Sequence, residues 1–430
     1  MPRVLILGGG AAGLFCGYRL KELKERDWGI VEAGQSGGGL ARSKTDSKGF
    51  VWDVGGHTFT PKDRRYAVLF ESIMKKDYLA HDKNSFAMVT GRLIRSPFQK
   101  NISALPSHLS ARCTTDFMSR NATANVSDFE NMLLSRFGRS ISELFLLPYN
   151  RKAWKTDLKT LNTAWVEDSM GPISLDDLNG TTDTNKQKIL YPARGGFGSF
   201  FERLSQSIHE NILFEKTVTS VDIVNRVVRV NDSEVIPYEI LINTLPLNCL
   251  LELIRHRERG AFRHHLVSTP LAVVGIGLSG KSRFEGKSWI YVPNPDVLFH
   301  RITFISNFSH NNAPVNCWSL MCEITPYGAI KDVASITRQT ISDLRRIAVL
   351  QKTSNIESTH FEYINRAYPV PMLLRDDRLR QINGFLNSHD IFSIGRFGSW
   401  IYERSNTDCI FTDSVALVDR LCSSRQITIE

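Results

Sequence analysis

The sequence predicts an α/β protein: a Rossmann-like dinucleotide-binding domain with a helical cap and an antiparallel-sheet substrate domain. Three observations predict it. A short β-type run, Arg-Val-Leu-Ile-Leu at residues 3–7, leads directly into glycines and a helical pattern. Residues 128–147 read as helical with charge on one side. The stretches 212–230 and 270–305 are rich in β-branched and aromatic residues, as meandering strands are.

The first strand is followed by apolar residues at Leu14, Tyr18 and Leu20, the spacing of one helix face, and a second apolar run from Trp28 to Val31 ends at Glu32. This β-α-β unit opens a parallel sheet covered by helices. Near the C-terminus, residues 391–394 form a short buried-strand run. Gly395-Arg396-Phe397-Gly398 and an apolar-periodic helix from about Asp408 to Leu421 follow. The chain end is therefore expected to return and complete the cofactor domain. Residues 1–70, 190–245 and 385–430 are assigned to that discontinuous domain, 71–189 to a largely helical cap and 246–384 to the antiparallel-sheet domain.

A chain of 430 residues exceeds a usual domain of roughly 100 to 200, so several units sharing one cleft are expected. Its 42% hydrophobic and 23% charged residues exclude a disordered or fibrous class. The formal charge of +9 is scattered rather than blocked, which favours a small phosphorylated anion over nucleic acid. Seven cysteines without a CxxC pair argue against a disulfide framework and against zinc, and no metal site is expected. With neither a signal peptide nor an apolar stretch of about 18 residues, a cytoplasmic protein without a membrane span is expected.

Gly8, Gly10 and Gly13 satisfy GxGxxG between strand and helix, with Ala11 and Ala12 inside the motif and Glu32 following Gly13 by 19 residues. The first glycine permits the tight turn, the second lets the backbone approach a pyrophosphate, and the third lets helix and strand pack closely. The helix N-terminus supplies positive potential, and Glu32 would accept bonds from a ribose diol. Up to this point NAD and FAD both remain open. Ser36-Gly37-Gly38-Gly39-Leu40-Ala41-Arg42-Ser43 and Trp52-Asp53-Val54-Gly55-Gly56-His57 then resemble the amine-oxidase-like branch of FAD proteins. In that branch the loop ending in Arg-Ser touches the pyrophosphate and the Gly-Gly pair lies against the isoalloxazine ring. Gly39, Leu40, Ala41, Arg42, Ser43, Gly55 and Gly56 are accordingly expected at FAD, which makes the Rossmann-like domain an FAD-binding one.

Further along, Ser96-Pro97-Phe98-Gln99, Pro148-Tyr149-Asn150-Arg151-Lys152-Ala153-Trp154, Tyr191-Pro192-Ala193-Arg194-Gly195-Gly196 and Trp289-Ile290-Tyr291-Val292-Pro293 stand in order. Arg301, Tyr368 in Ala-Tyr-Pro-Val-Pro, and Gly395-Arg396-Phe397-Gly398-Ser399-Trp400-Ile401-Tyr402-Glu403 with Asn406 complete the series. From Val4 to about residue 420, least closely over 205–285, this set resembles the UDP-galactopyranose mutases, and more closely their eukaryotic-type members. The resemblance implies that Phe98 and Gln99 contact a uridine, that Asn150 and Trp154 lie beside the sugar, and that Tyr291, Arg301, Tyr368, Arg396, Tyr402 and Asn406 hold the substrate diphosphate, with Asn406 also near FAD. Two arginines supply planar donor forks for such an anion, and tyrosine hydroxyls complete its shell.

The resemblance further implies a redox-neutral isomerisation, UDP-galactopyranose to UDP-galactofuranose in the first instance. N5 of the reduced flavin bonds to the anomeric carbon as the diphosphate leaves, and the sugar recloses through a different hydroxyl. His57, Gly56, Arg301 and Arg396 are the expected catalytic set, with NADPH or NADH as reductant. Two positions depart from the family pattern: Ser96 replaces an aromatic before Pro-Phe-Gln, and Ser169 stands where an Arg is expected after Trp165. A GDP- or dTDP-linked sugar therefore stays open, as does the choice between monomer and homo-oligomer. The rival class is an FAD-dependent amine or protoporphyrinogen-type oxidase, which gives no reason to gather two arginines.

Overall fold

The computed structural model describes residues 3–122, 126–166, 170–178, 188–255 and 266–423; Ser169 lies outside them. Five parallel strands form the N-terminal sheet in the order Ile391–Ser393, Ile240–Asn243, Val4–Leu7, Trp28–Val31, Ile212–Leu213. Val4–Leu7 is central and every one of its residues is buried, the reason it reads as a continuous apolar run rather than an alternating one. Helix Ala11–Glu22 packs beside helix Thr407–Ser423, Phe15 meeting Phe411 edge to face at 5.4 Å and Arg19 donating to Asp419 at 2.7 Å. The last described helix thus packs on the first.

A seven-stranded sheet runs Ile356–Pro369, Ser268–Ser279, Cys317–Ile324, Arg301–Thr303, Trp289–Tyr291, Ser85–Val89, Arg92–Arg95. It is antiparallel except where Trp289–Tyr291 meets Ser85–Val89. Its last two strands come from the span assigned to the cap. Residues 218–237 form a separate three-stranded antiparallel ribbon, while Ile212–Leu213 joins the parallel sheet instead.

The helix read over 128–147 is two helical pieces. Asp128 caps the first, Phe129–Phe137, by accepting from the Asn131 amide at 3.0 Å. Gly138 ends it at φ +77°, where an added Cβ would meet the Asp116 carbonyl oxygen at 2.8 Å. The chain then winds on to Trp154, with a π turn at Ser142–Leu146 just before Leu147–Trp154. Phe98, Phe117, Phe129, Phe137, Trp154 and Trp165 bury one another in a cap core of their own. No helix among the described residues is long and apolar enough to cross a membrane.

Candidate active site

At the cofactor end, Gly8 stands at φ +96°, and a Cβ on Gly13 would lie 2.0 Å from the Gly8 carbonyl oxygen, so strand and helix touch there through bare backbone. Gly10 differs. A Cβ added to it would meet nothing nearer than the Gly39 Cα at 4.0 Å. No side chain caps the helix that begins at Ala11, which leaves its first-turn N–H groups, Ala11 and Ala12 among them, for an anion. Glu32 accepts from the Gly9 amide through Oε2 and from the Gly34 amide through Oε1, both at 2.7 Å, and each oxygen keeps a lone pair for a ribose hydroxyl. The open face at Gly10, the uncapped helix and the fixed acid together fit a dinucleotide.

The second glycine loop lies over the first, with the Gly38 amide donating to the Gly9 carbonyl at 2.8 Å and the Ala41 amide to Gly38 at 2.9 Å. Leu40 packs against the buried core. Arg42 donates to the Gly39 carbonyl at 2.9 Å and forms an ion pair with Glu362, so much of its charge is already matched. The Ser43 hydroxyl donates to Asp53 at 2.5 Å and accepts from the Gly198 amide at 2.8 Å. Asp53, buried, also accepts from the Tyr191 hydroxyl at 2.6 Å and the Phe197 amide at 3.0 Å; burial raises its pKa to about 6 against these donors. It thereby ties the ribbon of Ser43–Thr45 and Val51–Asp53 to the turn after Tyr191.

Gly55, at φ +97°, turns the chain into Gly56 and His57. His57 contacts the Val54 carbonyl through Nε2 at 2.9 Å, which places the proton there and leaves Nδ1 as an acceptor. Burial, with Arg396 next, pulls its pKa down to about 4, so the ring is neutral. The Gly56 amide donates to Glu323 at 2.8 Å.

Glu323, on strand Cys317–Ile324, faces Arg301 on the neighbouring antiparallel strand in direct register. Arg301 reaches it through Nε at 3.0 Å and through Nη2 at 2.6 and 2.7 Å. Burial opposes both charges, yet each supports the other: the Arg301 pKa stands well above its usual range and the Glu323 pKa below its own. Tyr291 is paired across the strand with Arg301, Tyr368 donates to Glu323 at 3.4 Å, and Tyr149, Tyr291, Tyr368 and Tyr402 all feel Arg301. Burial raises all four phenol pKa values, so they are neutral hydroxyl donors. Arg396 enters the same group, its guanidinium carbon 6.0 Å from the Tyr368 ring centroid. Burial holds its pKa below the usual value. Among the described residues no carboxylate lies within ion-pairing distance of it.

The cap supplies one wall. Tyr149 stacks on Phe145 at 5.4 Å and meets Tyr291 edge to face at 5.5 Å. Trp154 is buried between Trp165 and Tyr402, and Asn150 donates back to the Leu146 carbonyl at 2.8 Å. Phe98 is wholly buried against Phe145. Gln99, 5% exposed, has no hydrogen-bond partner among the described residues. Asn406 is exposed and caps helix Thr407–Ser423 by accepting from the Cys409 amide at 2.8 Å; its neighbour Ser405 accepts from Arg396 at 3.1 Å. The structure thus gathers Tyr291, Arg301, Tyr368, Arg396, Tyr402 and Trp154 beside His57 and gives Ser43 and Asn406 structural bonds.

The profile of the flavin containing amine oxidoreductases matches residues 11–347. The chain belongs to this family. Among the flavin containing amine oxidoreductases of known structure, it is similar to a reduced UDP-galactopyranose mutase at 28% identity, TM-score 0.94, over 98% of this chain and 94% of that one. That match agrees with the resemblance carried by the motifs. A protoporphyrinogen oxidase-like protein from Exiguobacterium sp. 255-15 shares the fold at 16% identity and TM-score 0.75, over 98% of each chain. A putrescine oxidase shares it at 15% and 0.67, over 98% of this chain and 99% of that one. The family and the first similarity support FAD as the cofactor.

Three members of the site escaped the sequence reading. Tyr149 stands inside the motif at residues 148–154, directly before Asn150, which the resemblance places at the sugar. Glu323 carried a signal: it is a lone acid in the run Trp-Ser-Leu-Met-Cys-Glu-Ile, where every residue is buried. His300, 3% exposed with Nε2 3.9 Å from Glu323, precedes Arg301 directly; burial pulls its pKa down to about 3.

Proposed function

We propose that this chain is a flavin-dependent mutase interconverting the pyranose and furanose forms of a nucleotide sugar, with UDP-galactose as the substrate pair and NADPH or NADH as the reductant. The observation that carries the reading is that Arg301 and Arg396 open onto one tyrosine cage beside the Gly56–His57 loop, with Arg396 in no ion pair among the described residues. A half-buried cation whose nearest carboxylate, Glu323, is already engaged by Arg301 is suited to an anionic ligand.

Reduced FAD, when bound, supplies the nucleophile for the anomeric carbon. The chain's own residues do the rest. Arg396 and the outward edge of Arg301 hold the leaving diphosphate in place for its return. The neutral hydroxyls of Tyr149, Tyr291, Tyr368 and Tyr402 donate to its oxygens without adding charge. His57, with Nδ1 unprotonated, is placed to accept a proton near the flavin. Gln99, buried and unpaired, offers an amide to the nucleobase.

The oxidase reading requires a site for an amine, and here the Glu323 carboxylate beside the cage is already engaged by Arg301. The test is to incubate protein reduced with dithionite with UDP-galactopyranose, UDP-glucose and the GDP- and dTDP-linked sugars, and to follow furanose formation by NMR. Conversion without stoichiometric consumption of reductant supports the mutase. Equal turnover by oxidised enzyme with hydrogen peroxide from an amine would reject it.

A further inference from the structure

We propose that Glu323 is a positioning residue that couples diphosphate occupancy at Arg301 to the flavin-facing backbone at Gly56. Ligand affinity and flavin redox state then depend on one another through this carboxylate. The inference rests on the reading that both ligands bind here.

Oε1 of Glu323 accepts from Arg301 Nε, Arg301 Nη2 and the Gly56 amide, at 3.0, 2.6 and 2.8 Å. One oxygen thus joins the residue that faces the substrate to the loop that faces the cofactor. The loop has little room to move by itself. A Cβ on Gly56 would fall 2.3 Å from Thr303 Oγ1 and 2.9 Å from Trp289 Nε1, on the strands that carry Arg301 and Tyr291. Among the described residues neither of those two polar atoms has a hydrogen-bond partner, and Glu323 is the side chain that accepts from the Gly56 amide.

Glu323 is fully buried, so its charge must be compensated by these donors and by the weaker Tyr368 hydroxyl. If phosphate oxygens draw Arg301 toward the cage, the carboxylate loses part of its partner and holds the Gly56 amide more strongly. If the Gly56 peptide shifts toward the flavin, Glu323 holds Arg301 more strongly and draws it from the diphosphate. The two bonds share one acceptor in a low-dielectric setting, where such competition is felt. By linkage, any effect of the ligand on the flavin equals the effect of flavin state on ligand affinity.

The experiment measures the UDP affinity of oxidised and dithionite-reduced holoprotein, and the flavin midpoint potential with and without saturating UDP. In the parent the two affinities should differ by about tenfold, with a matching shift of about 30 mV for a two-electron couple. Glu323→Gln keeps an acceptor for the Gly56 amide but removes the charge, and the difference should fall to about twofold or less while FAD content and UDP binding persist. Glu323→Asp keeps the charge on Arg301 but is too short to hold Gly56 as well, and should lose the redox dependence too. Either folded variant showing the parental difference overturns the proposal. A parent that binds FAD and UDP with equal affinity in both redox states rejects the coupling alone, whereas a parent that binds neither rejects the mutase reading.

Discussion

The guanidinium of Arg396 lies over the ring of Tyr368 and donates to the carbonyl oxygens of Ala367 at 3.4 Å and Ser405 at 3.1 Å, while Arg301 is locked to the Glu323 carboxylate. The two arginines should therefore fail differently. Arg396→Ala should weaken UDP binding by about 1.5–3 kcal/mol, one to two orders of magnitude, with FAD content and melting temperature close to the parent's. Arg301→Ala should weaken UDP binding and also destabilise the fold by about 3–5 kcal/mol, because it leaves Glu323 buried without its partner. Calorimetry and thermal melts on both variants separate the outcomes; parental UDP affinity in Arg396→Ala would remove the diphosphate assignment.

Gly10 and Gly13 offer a second contrast. Gly13→Ala drives a Cβ into the Gly8 carbonyl and should prevent folding or depress stability severely. Gly10→Ala meets open space and should fold, yet occupy the face that a pyrophosphate must approach, so soluble protein should be recovered colourless. Flavin absorbance of the purified variants decides it. A yellow Gly10→Ala protein with full FAD content would place the cofactor elsewhere.

Acid should weaken the fold through the two histidines beside the arginines. His57 and His300 are held neutral, with pKa values near 4 and 3, against about 6.5 in an unfolded chain. Their contribution is complete above pH 6.5 and is lost as pH falls toward 4, since the unfolded state takes up protons the folded state refuses. Asp53, raised to about 6, acts in the opposite sense: it costs stability as pH rises through 6. His300→Gln should flatten the fall in melting temperature between pH 6.5 and 5. An unchanged slope would mean that His300 is protonated in the folded protein.

Lys152 joins the helical region to the hairpin of residues 289–303. Its Nζ donates to the carbonyls of Val292, Asn294 and Phe299 at 3.0, 2.8 and 2.6 Å, a shell that takes all three protons of an ammonium, although burial pulls its pKa down to about 7. Lys152→Met should cost about 2–4 kcal/mol of stability and raise the KM for nucleotide sugar more than it lowers kcat, since Tyr149 and Arg301 would lose their common support. Denaturant melts and steady-state kinetics test both halves.

Much of this architecture was legible because it rests on local chemistry. GxGxxG after an apolar run and before a helix leaves little choice of structure, and Tyr291, Arg301, Tyr368, Arg396 and Tyr402 each stand in a motif that drew an expectation to them. Glu323 was not, because its role depends on cross-strand register with Arg301, a relation between residues 22 apart that no local pattern carries. The break at Gly138 was hidden by apolar residues on both sides that fit one long helix. Asn406, just before Thr407, also caps a helix through its side-chain oxygen, a local role that the motif context alone did not show.

The threefold grip on Lys152 also makes that amine a slow reporter. A side chain 7% exposed, with every proton committed, cannot meet an acylating reagent until the hairpin of residues 289–303 lets go of the cap. Its labelling rate, read by mass spectrometry against the other lysines, is then a clock for local opening, and nucleotide-sugar binding should slow that clock in proportion to occupancy.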